Sequence, residues 1–176
     1  MKDNKTAKTN HRFSREGVKT ETRSEVAGDF RIKLNLAHNH RGVEKLYESM
    51  HLNQGVFISE RISAHSSVSS SFAFILAIEE VSNLNIPKRA EYIRIIASEL
   101  ERIRAHLYCL VLLGSETGSG MLRSEAERRL IEILSLFEKL FGNRYHSALM
   151  RIGGVNIDIT FEDGYILRDF LDKILR

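Results

Sequence analysis

The chain has 176 residues, which is enough for one domain that buries its own core without disulfide staples. Hydrophobic residues make up 43% of it and charged residues 28%, the balance of an ordinary globular protein. Its one cysteine, Cys109, excludes a disulfide framework and a cysteine-based zinc site, and favours a cytosolic compartment. No apolar run reaches about 18 residues and no signal-peptide core opens the chain, which argues against a membrane span or export. The net charge of +3 is spread through segments that also carry Glu, so it does not indicate nucleic acid as the partner.

The N-terminal quarter predicts a flexible arm followed by a β-hairpin. Residues 1–16 are polar with mixed charge, as in a flexible arm. Apolar and polar residues then alternate, weakly over 18–26 and strictly over 30–36, which is typical of half-buried strands. A turn at 27–29 separates the two runs. The pattern therefore predicts an antiparallel hairpin over residues 17–37 with its first strand exposed.

The remainder predicts a helix bundle over residues 41–176. Helices are expected at 41–49, 72–82, 88–113, 124–141 and 167–176, with a brief extended connection at 56–58, a flexible loop at 114–120 and a tight turn at 151–155. Pro87 suits the start of the third helix, whose apolar stripe is the clearest in the chain: Ile93, Ile96, Leu100, Ile103, Leu107 and Leu110. The predicted fold class is mainly α, a helix bundle with a small N-terminal antiparallel β-hairpin, in a single domain over residues 17–176.

Three polar residues share one face of the 88–113 helix. Glu99, Arg102 and His106 are spaced i, i+3, i+7. One interpretation is a buried network, which requires the charges to be paired. The other is a solvated stripe, because further charged residues indicate that this helix has an exposed side: Lys88, Arg89, Glu91, Arg94, Glu101 and Arg104.

Other polar groups carry weaker signals. His38, His40 and His65 could cluster, but no carboxylate–histidine pattern at metal spacing accompanies them, which favours ordinary loop histidines. The serines at 66–71 have no identifiable base beside them, so a packing or capping role is favoured over a nucleophile. Gly153-Gly154 is too short for a phosphate-binding loop.

Five blocks in a fixed order carry a family resemblance: residues 40–45 (HRGVEK), 60–74, 87–94 (PKRAEYIR), 99–106 and 151–155 (RIGGV). In that order they resemble the large subunit of energy-converting, membrane-associated nickel–iron hydrogenases, and equally the 49-kDa quinone-site subunit of respiratory complex I. The resemblance runs from about residue 11 to the end. It implies the N-terminal half of a subunit that packs on an iron–sulfur small subunit, beside membrane-arm subunits, at the cytoplasmic face of the membrane.

The resemblance also implies roles for individual residues. Glu44 would be the glutamate that moves protons beside the metal site, a role that suits a carboxylate whose pKa burial can raise. Arg61 would lie next to the reaction cavity. The Glu99, Arg102 and His106 face would be the polar helix face of both branches and would form a proton path together with Glu44. The turn at 151–155 would lie near the small subunit. On the cofactor side, His11 stands near the quinone-site histidine, although the spacing to Gly17 is one residue too long, and His65 is a second candidate.

The departures from the family bear on activity. Ser63 and Ser66 stand where hydrogenases carry the first pair of nickel–iron cysteines, and a neutral hydroxyl does not replace a soft thiolate. Ala64 stands where complex I has a tyrosine that contacts the quinone headgroup. The family's large subunits are longer and have a second cysteine pair. We therefore expect no metal or other cofactor bound by this chain and no catalysis by it alone; the alternative is a non-catalytic scaffold or truncated paralogue without redox activity.

Overall fold

The computed structural model describes residues 11–15, 18–24, 30–35, 40–145 and 148–174. It divides into two compact units, Met1–Glu48 and Ser49–Arg176. The single domain predicted over residues 17–176 stays a prediction.

The first unit contains a three-stranded antiparallel sheet and one short helix. Strands β1 (His11–Arg15), β2 (Val18–Ser24) and β3 (Phe30–Asn35) lie in the order β1-β2-β3, with Phe13 opposite Thr20 and Thr20 opposite Leu34. Helix α1 (Val43–Ser49) follows. β2 and β3 confirm the hairpin. β1 lies inside the segment 1–16 that was predicted to be a flexible arm. A polar segment can form a strand because the hydrogen bonds of a sheet join backbone groups and do not require apolar side chains. The rest of that segment lies outside the described residues.

The second unit is a bundle of five helices with one small hairpin. The helices are α2 (Leu52–Ser59), α3 (Ser67–Val81), α4 (Lys88–Thr117), α5 (Gly120–Phe141) and α6 (Phe161–Ile174). The hairpin pairs β4 (Met150–Arg151) with β5 (Gly154–Val155). The predicted fold class, mainly α with a small N-terminal antiparallel hairpin, is confirmed. Among the described residues, no helix has the length and apolar content needed to cross a bilayer.

Helix α2 was not predicted, and the other helices begin or end at other residues than expected, α6 with the largest shift. Residues 56–58 were expected to be extended, but they lie in α2, where the Ser59 hydroxyl donates to the Gly55 carbonyl one turn back at 2.8 Å. Three apolar residues are too few to separate a strand from a helix by periodicity. Helix α6 begins six residues before the expected start because Thr160 and Asp163 form a reciprocal cap: the Thr160 hydroxyl accepts from Asp163 N at 3.2 Å, and the Asp163 carboxylate accepts from Thr160 N at 2.8 Å.

The long helices α4 and α5 form an antiparallel pair at a close crossing. Gly114, expected in a loop, is buried inside α4, and a Cβ on it would meet the Arg123 backbone nitrogen at 2.6 Å. The absence of a side chain there allows the two backbones to approach each other. The turn follows at Gly118, with φ of 72°, and Ser119 then caps α5 by accepting from Leu122 N at 3.4 Å.

The core of the second unit lies where α3, α4 and α5 meet the β4–β5 hairpin. Ile75, Ala97, Ile133, Phe137 and Leu149 are fully enclosed there. They come from three helices and from the residue before β4, so the core fixes α4 against its neighbours and determines which face of α4 is buried. That orientation decides which of its charged residues reach solvent.

Candidate functional site

Residues 61–66 connect the end of α2 to the start of α3 and carry the predicted cavity residues. Arg61 is exposed and donates to the Phe57 carbonyl at 2.7 Å, while the Ser63 hydroxyl accepts from His65 N at 3.4 Å. The His65 ring stacks on Tyr108 with centroids 3.8 Å apart. His65 is therefore held against α4 through its ring face.

The connection carries hydroxyl and methyl side chains at the positions that the resemblance relates to the metal ligands and to the quinone contact. Ser63 and Ser66 provide hydroxyls where thiolates would be needed, and the Ser63 hydroxyl already takes part in a local bond. Ala64 offers no side-chain donor to a quinone oxygen. In the described part of the chain, His, Cys, Asp and Glu nowhere gather in a group of three or more that could hold a metal ion.

Glu101 of α4 caps the first turn of α3 from outside that helix. Its carboxylate accepts from Val68 N at 2.8 Å and Ser69 N at 2.7 Å, and from the hydroxyls of Ser67 at 3.2 Å and Ser69 at 2.6 Å. The N-cap residue, Ser66, makes no side-chain cap. A carboxylate at this position satisfies free amide protons and interacts favourably with the positive end of the helix dipole.

Arg104 completes the Glu101 cluster. It donates to Glu101 Oε1 at 2.9 Å, and both side chains are almost fully buried, with 2% and 3% exposure. Its guanidinium also lies 5.0 Å from the centre of the Phe137 ring. Burial lowers the pKa of Arg104, and the charge of Glu101 opposes that shift. The cluster thus anchors the 61–66 connection to α4.

A second buried pair ties α3 and α4 to the β4–β5 hairpin. Arg94 and Glu79 bond through two parallel contacts of 2.8 and 2.7 Å, at 2% and 5% exposure. Arg94 Nη2 also donates to the Arg151 and Gly154 carbonyls at 2.9 and 2.8 Å, and Gly153 N donates to Glu79 Oε1 at 2.7 Å. The turn at 151–155 is therefore held by side chains from two helices.

The protonation of Glu79 follows from these contacts. Burial pushes the pKa of Glu79 up, but the Arg94 hydrogen bonds, the Gly153 amide and the Arg94 charge together outweigh burial and hold the pKa below its usual value. Glu79 is therefore ionised at neutral pH as one partner of a paired buried charge.

The buried-network interpretation of Glu99, Arg102 and His106 is wrong for this chain: all three lie exposed on α4, with Glu99 and Arg102 paired to each other. The buried charges of this helix are instead Arg94, Glu101 and Arg104, which had indicated its solvent side. The sequence contained a signal of this burial. The three charged residues alternate with two alanines at spacings of three and four, which places all five on one face of the helix: Ala90, Arg94, Ala97, Glu101 and Arg104.

The exposed side of α4 forms one continuous stripe. At 3.6 residues per turn its members fall within about 80° of the helix circumference. Large apolar residues lie at both ends, between 41% and 66% exposed, and the three polar residues lie in the middle. We call this set the α4 stripe: Tyr92, Ile95, Glu99, Arg102, His106, Leu110 and Leu113. Its four large apolar side chains are thus exposed as two pairs, separated along the helix by the three polar residues.

The remaining predicted site residues lie in the first unit. Glu44 occupies the first turn of α1 and is exposed. His11 begins β1 and pairs with Thr22 across the ladder. His38 lies outside the described residues. The structure brings Arg61, Ser63 and His65 together in one connection and groups Glu99, Arg102 and His106 on one helix face.

The fold is that of a subunit of a respiratory membrane complex. A chain in the structure of the membrane-bound sulfane sulfur reductase, an archaeal respiratory membrane complex, superposes with a TM-score of 0.87 over 99% of this chain and 48% of that one. The two sequences are 22% identical, so this likeness concerns the fold alone.

Sequence relatives identify the particular subunit. The chain is 37% identical over 144 residues to the 49-kDa-type subunit of the NADH-quinone oxidoreductase of Desulforamulus reducens, covering 78% of this chain and 38% of that protein. The same subunit of Carboxydothermus hydrogenoformans is 36% identical over 140 residues, covering 77% and 37%. The chain is thus a homologue of the 49-kDa-type subunit of NADH-quinone oxidoreductase, and it spans a little over a third of the length of these relatives. No family model matches it.

Proposed function

We propose that the chain serves as one part of a large subunit in a membrane-associated electron-transfer complex of the NADH-quinone oxidoreductase or hydrogenase type. Its homology to the 49-kDa-type subunit supports membership of such a complex. The α4 stripe is the observation that carries the assignment, because it exposes the polar face shared by both family branches between two apolar ends. We assign this stripe to the contact with the iron–sulfur small subunit, at the cytoplasmic face of the membrane and beside the membrane-arm subunits.

The chemistry of the chain supports a contribution to the reaction cavity without metal ligation. When present, a nickel–iron centre or a quinone would supply the redox chemistry. The 61–66 connection would place Arg61 and the stacked His65 at the wall of the reaction cavity. Ser63 and Ser66 do not provide the thiolate ligands that a nickel–iron centre requires, and Ala64 does not provide a hydrogen-bond donor to a quinone. Electron transfer would therefore run through the iron–sulfur cluster of the partner, with this chain as a packing and positioning element.

The docking assignment predicts that reversing one charge in the stripe releases the partner. In Arg102→Glu a repulsive acidic pair with Glu99 replaces the ion pair at the centre of the stripe, so we expect co-purification of the partner to fall at least tenfold, equivalent to about 1.4 kcal/mol. Arg128→Glu is the matched control: Arg128 is a similarly exposed, paired arginine on α5, outside the stripe. Equal partner recovery from both variants would contradict the assignment.

A proton-transfer role for Glu44 is a separate proposal. Glu44 lies exposed in the first turn of α1. Glu44→Gln keeps the size of the side chain but cannot carry a proton, so turnover of the assembled complex is expected to fall by about 10²–10⁴-fold. Glu48→Gln, in the same helix, is the control, and unchanged turnover in Glu44→Gln would remove the role.

The second candidate function is a scaffold without redox activity. It is favoured by three residues. Ser63 and Ser66 stand in place of the first pair of metal-binding cysteines of the hydrogenases, and Ala64 stands in place of the quinone-contacting tyrosine of complex I. A scaffold would retain the partner in the co-purification assay, and neither Glu44→Gln nor Arg61→Gln would affect electron transfer through the complex.

A further inference from the structure

Glu60 is a buried carboxyl that the roles assigned above do not use. It follows the last residue of α2, directly before the 61–66 connection, and is 3% exposed. Its neighbour Ser59 is fully enclosed. Among the buried polar side-chain atoms of the described chain, Glu60 Oε2 has no hydrogen-bond partner. An acceptor left in this state costs free energy if the carboxyl is ionised, and much less if that oxygen carries a proton.

The charges around Glu60 come from its own segment and from α4. Burial raises the pKa of Glu60; the backbone amide of Ala148 and the charge of Arg61 oppose the shift, and the negative charge of Glu101 adds to it. The net result is a pKa above the ordinary value of 4.5. Arg61 and Glu101 are the charged groups that act on it from the described part of the chain.

The surroundings of Glu60 differ from those of Glu101, the acidic group whose charge acts on it. Glu101 receives hydrogen bonds from two backbone amides, two serine hydroxyls and Arg104. Glu60 Oε2 receives none. Enclosure without a donor to that oxygen favours the neutral form of the Glu60 carboxyl.

We propose that Glu60 is an internal proton-binding site of the chain, whose enclosed carboxyl takes up and releases a proton at its unpartnered oxygen. On release the O–H bond of the Glu60 carboxyl breaks, its electron pair stays on the carboxylate, and the proton passes to water. The 61–66 connection follows Glu60 directly, so the charge of the Glu60 carboxyl acts on any group that binds against the connection. A catalytic use of this proton rests on the proposed function of the chain, whereas the binding of the proton to Glu60 does not.

The test is a carboxyl-carbon NMR titration of the full chain with labelled glutamate. We expect one glutamate signal to titrate at higher pH than the others, to be absent in Glu60→Gln, and to remain in the control Glu80→Gln, which alters an exposed carboxylate of α3. Arg61→Gln should move that signal to still higher pH, because the neighbouring positive charge is lost. Persistence of the high-pH signal in Glu60→Gln would overturn the proposal, and so would an unmoved signal in Arg61→Gln.

The pH dependence of the free energy of unfolding provides a second test. Because the folded-state pKa of Glu60 lies above the unfolded value, its contribution to stability is present at pH below about 4.5 and is lost as the pH rises through the folded-state pKa. Glu60→Gln should therefore gain stability relative to the parent chain as the pH rises through this window, and should gain more than the control Glu80→Gln. A constant difference in Glu60→Gln would count against the proposal. Both measurements use the chain alone, so a failure to bind the partner would not affect them.

Discussion

Replacing Glu101 with glutamine is expected to lower the free energy of unfolding by about 3–5 kcal/mol, the range for breaking a buried ion pair from one side. Arg104, at 2% exposure, would lose its counter-charge, and the first turn of α3 would lose the carboxylate that accepts from Val68 N and Ser69 N. Denaturant unfolding of the parent chain and Glu101→Gln measures the difference.

Glu99→Gln is the matched control for this experiment. Glu99 lies two residues away on the same helix, and its partner Arg102 is 67% exposed. An exposed pair of this kind contributes little, so we expect a change of about 0–1 kcal/mol. If Glu99→Gln proved as destabilising as Glu101→Gln, the observed orientation of α4 would be wrong.

Replacing Arg94 with methionine is expected to destabilise the chain by a similar amount, about 3–5 kcal/mol. Glu79 would keep only the Gly153 amide as a partner, and the β4–β5 hairpin would lose the donors to the Arg151 and Gly154 carbonyls. The double variant Glu79→Met/Arg94→Met should recover part of the loss, because it removes the unpaired buried charge.

Arg89→Met is the control for Arg94→Met. Arg89 also joins α4 to the segment after the hairpin, through Asp158 at 2.7 Å, but both side chains are 66% exposed, so its loss should have a much smaller effect. Equal destabilisation by the two variants, or no recovery in the double variant, would contradict the account of the buried pair.

The pH dependence of stability separates the Glu79–Arg94 pair from simple packing. The pKa of Glu79 is lower in the folded chain than its ordinary value, so its contribution to stability is present above about pH 4.5 and is lost as the pH falls through the folded-state pKa. The parent chain should therefore lose stability in acid more steeply than Arg94→Met. Parallel pH profiles would contradict this.

Much of the fold was predictable because it depends on local pattern. The bounds of β2 and β3, the start of α4 at Lys88 and the end of α5 at Phe141 follow from alternation, Pro87 and Gly142. The helix at residues 52–59 was not predictable, since its apolar run is short and its identity depends on packing of Gly55 against Phe74.

The error about α4 has one physical cause. An apolar stripe through Ile93, Ile96 and Ile103 describes a helix whose charges all face solvent. In the structure the buried face is rotated from that stripe, because Arg94, Glu101 and Arg104 are paired inside the bundle. Arg94 pairs with Glu79 of α3, and Glu101, which pairs with Arg104 on α4 itself, also accepts from the first turn of α3. These contacts with α3 are tertiary and are not contained in the periodicity of α4. The prediction therefore exchanged the buried and exposed charges of α4, and the roles assigned to the site residues stay a prediction.

We expect this chain to act through a partner that carries the iron–sulfur cluster and not to bind nickel or iron itself. The decisive measurement is affinity purification of the full chain from its native host, with iron, acid-labile sulfide and nickel determined per chain. Iron and sulfide should be recovered with the parent chain and lost in Arg102→Glu, with no nickel bound through this chain. Stoichiometric nickel on the isolated chain, or a chain recovered without any iron-containing partner, would overturn this expectation.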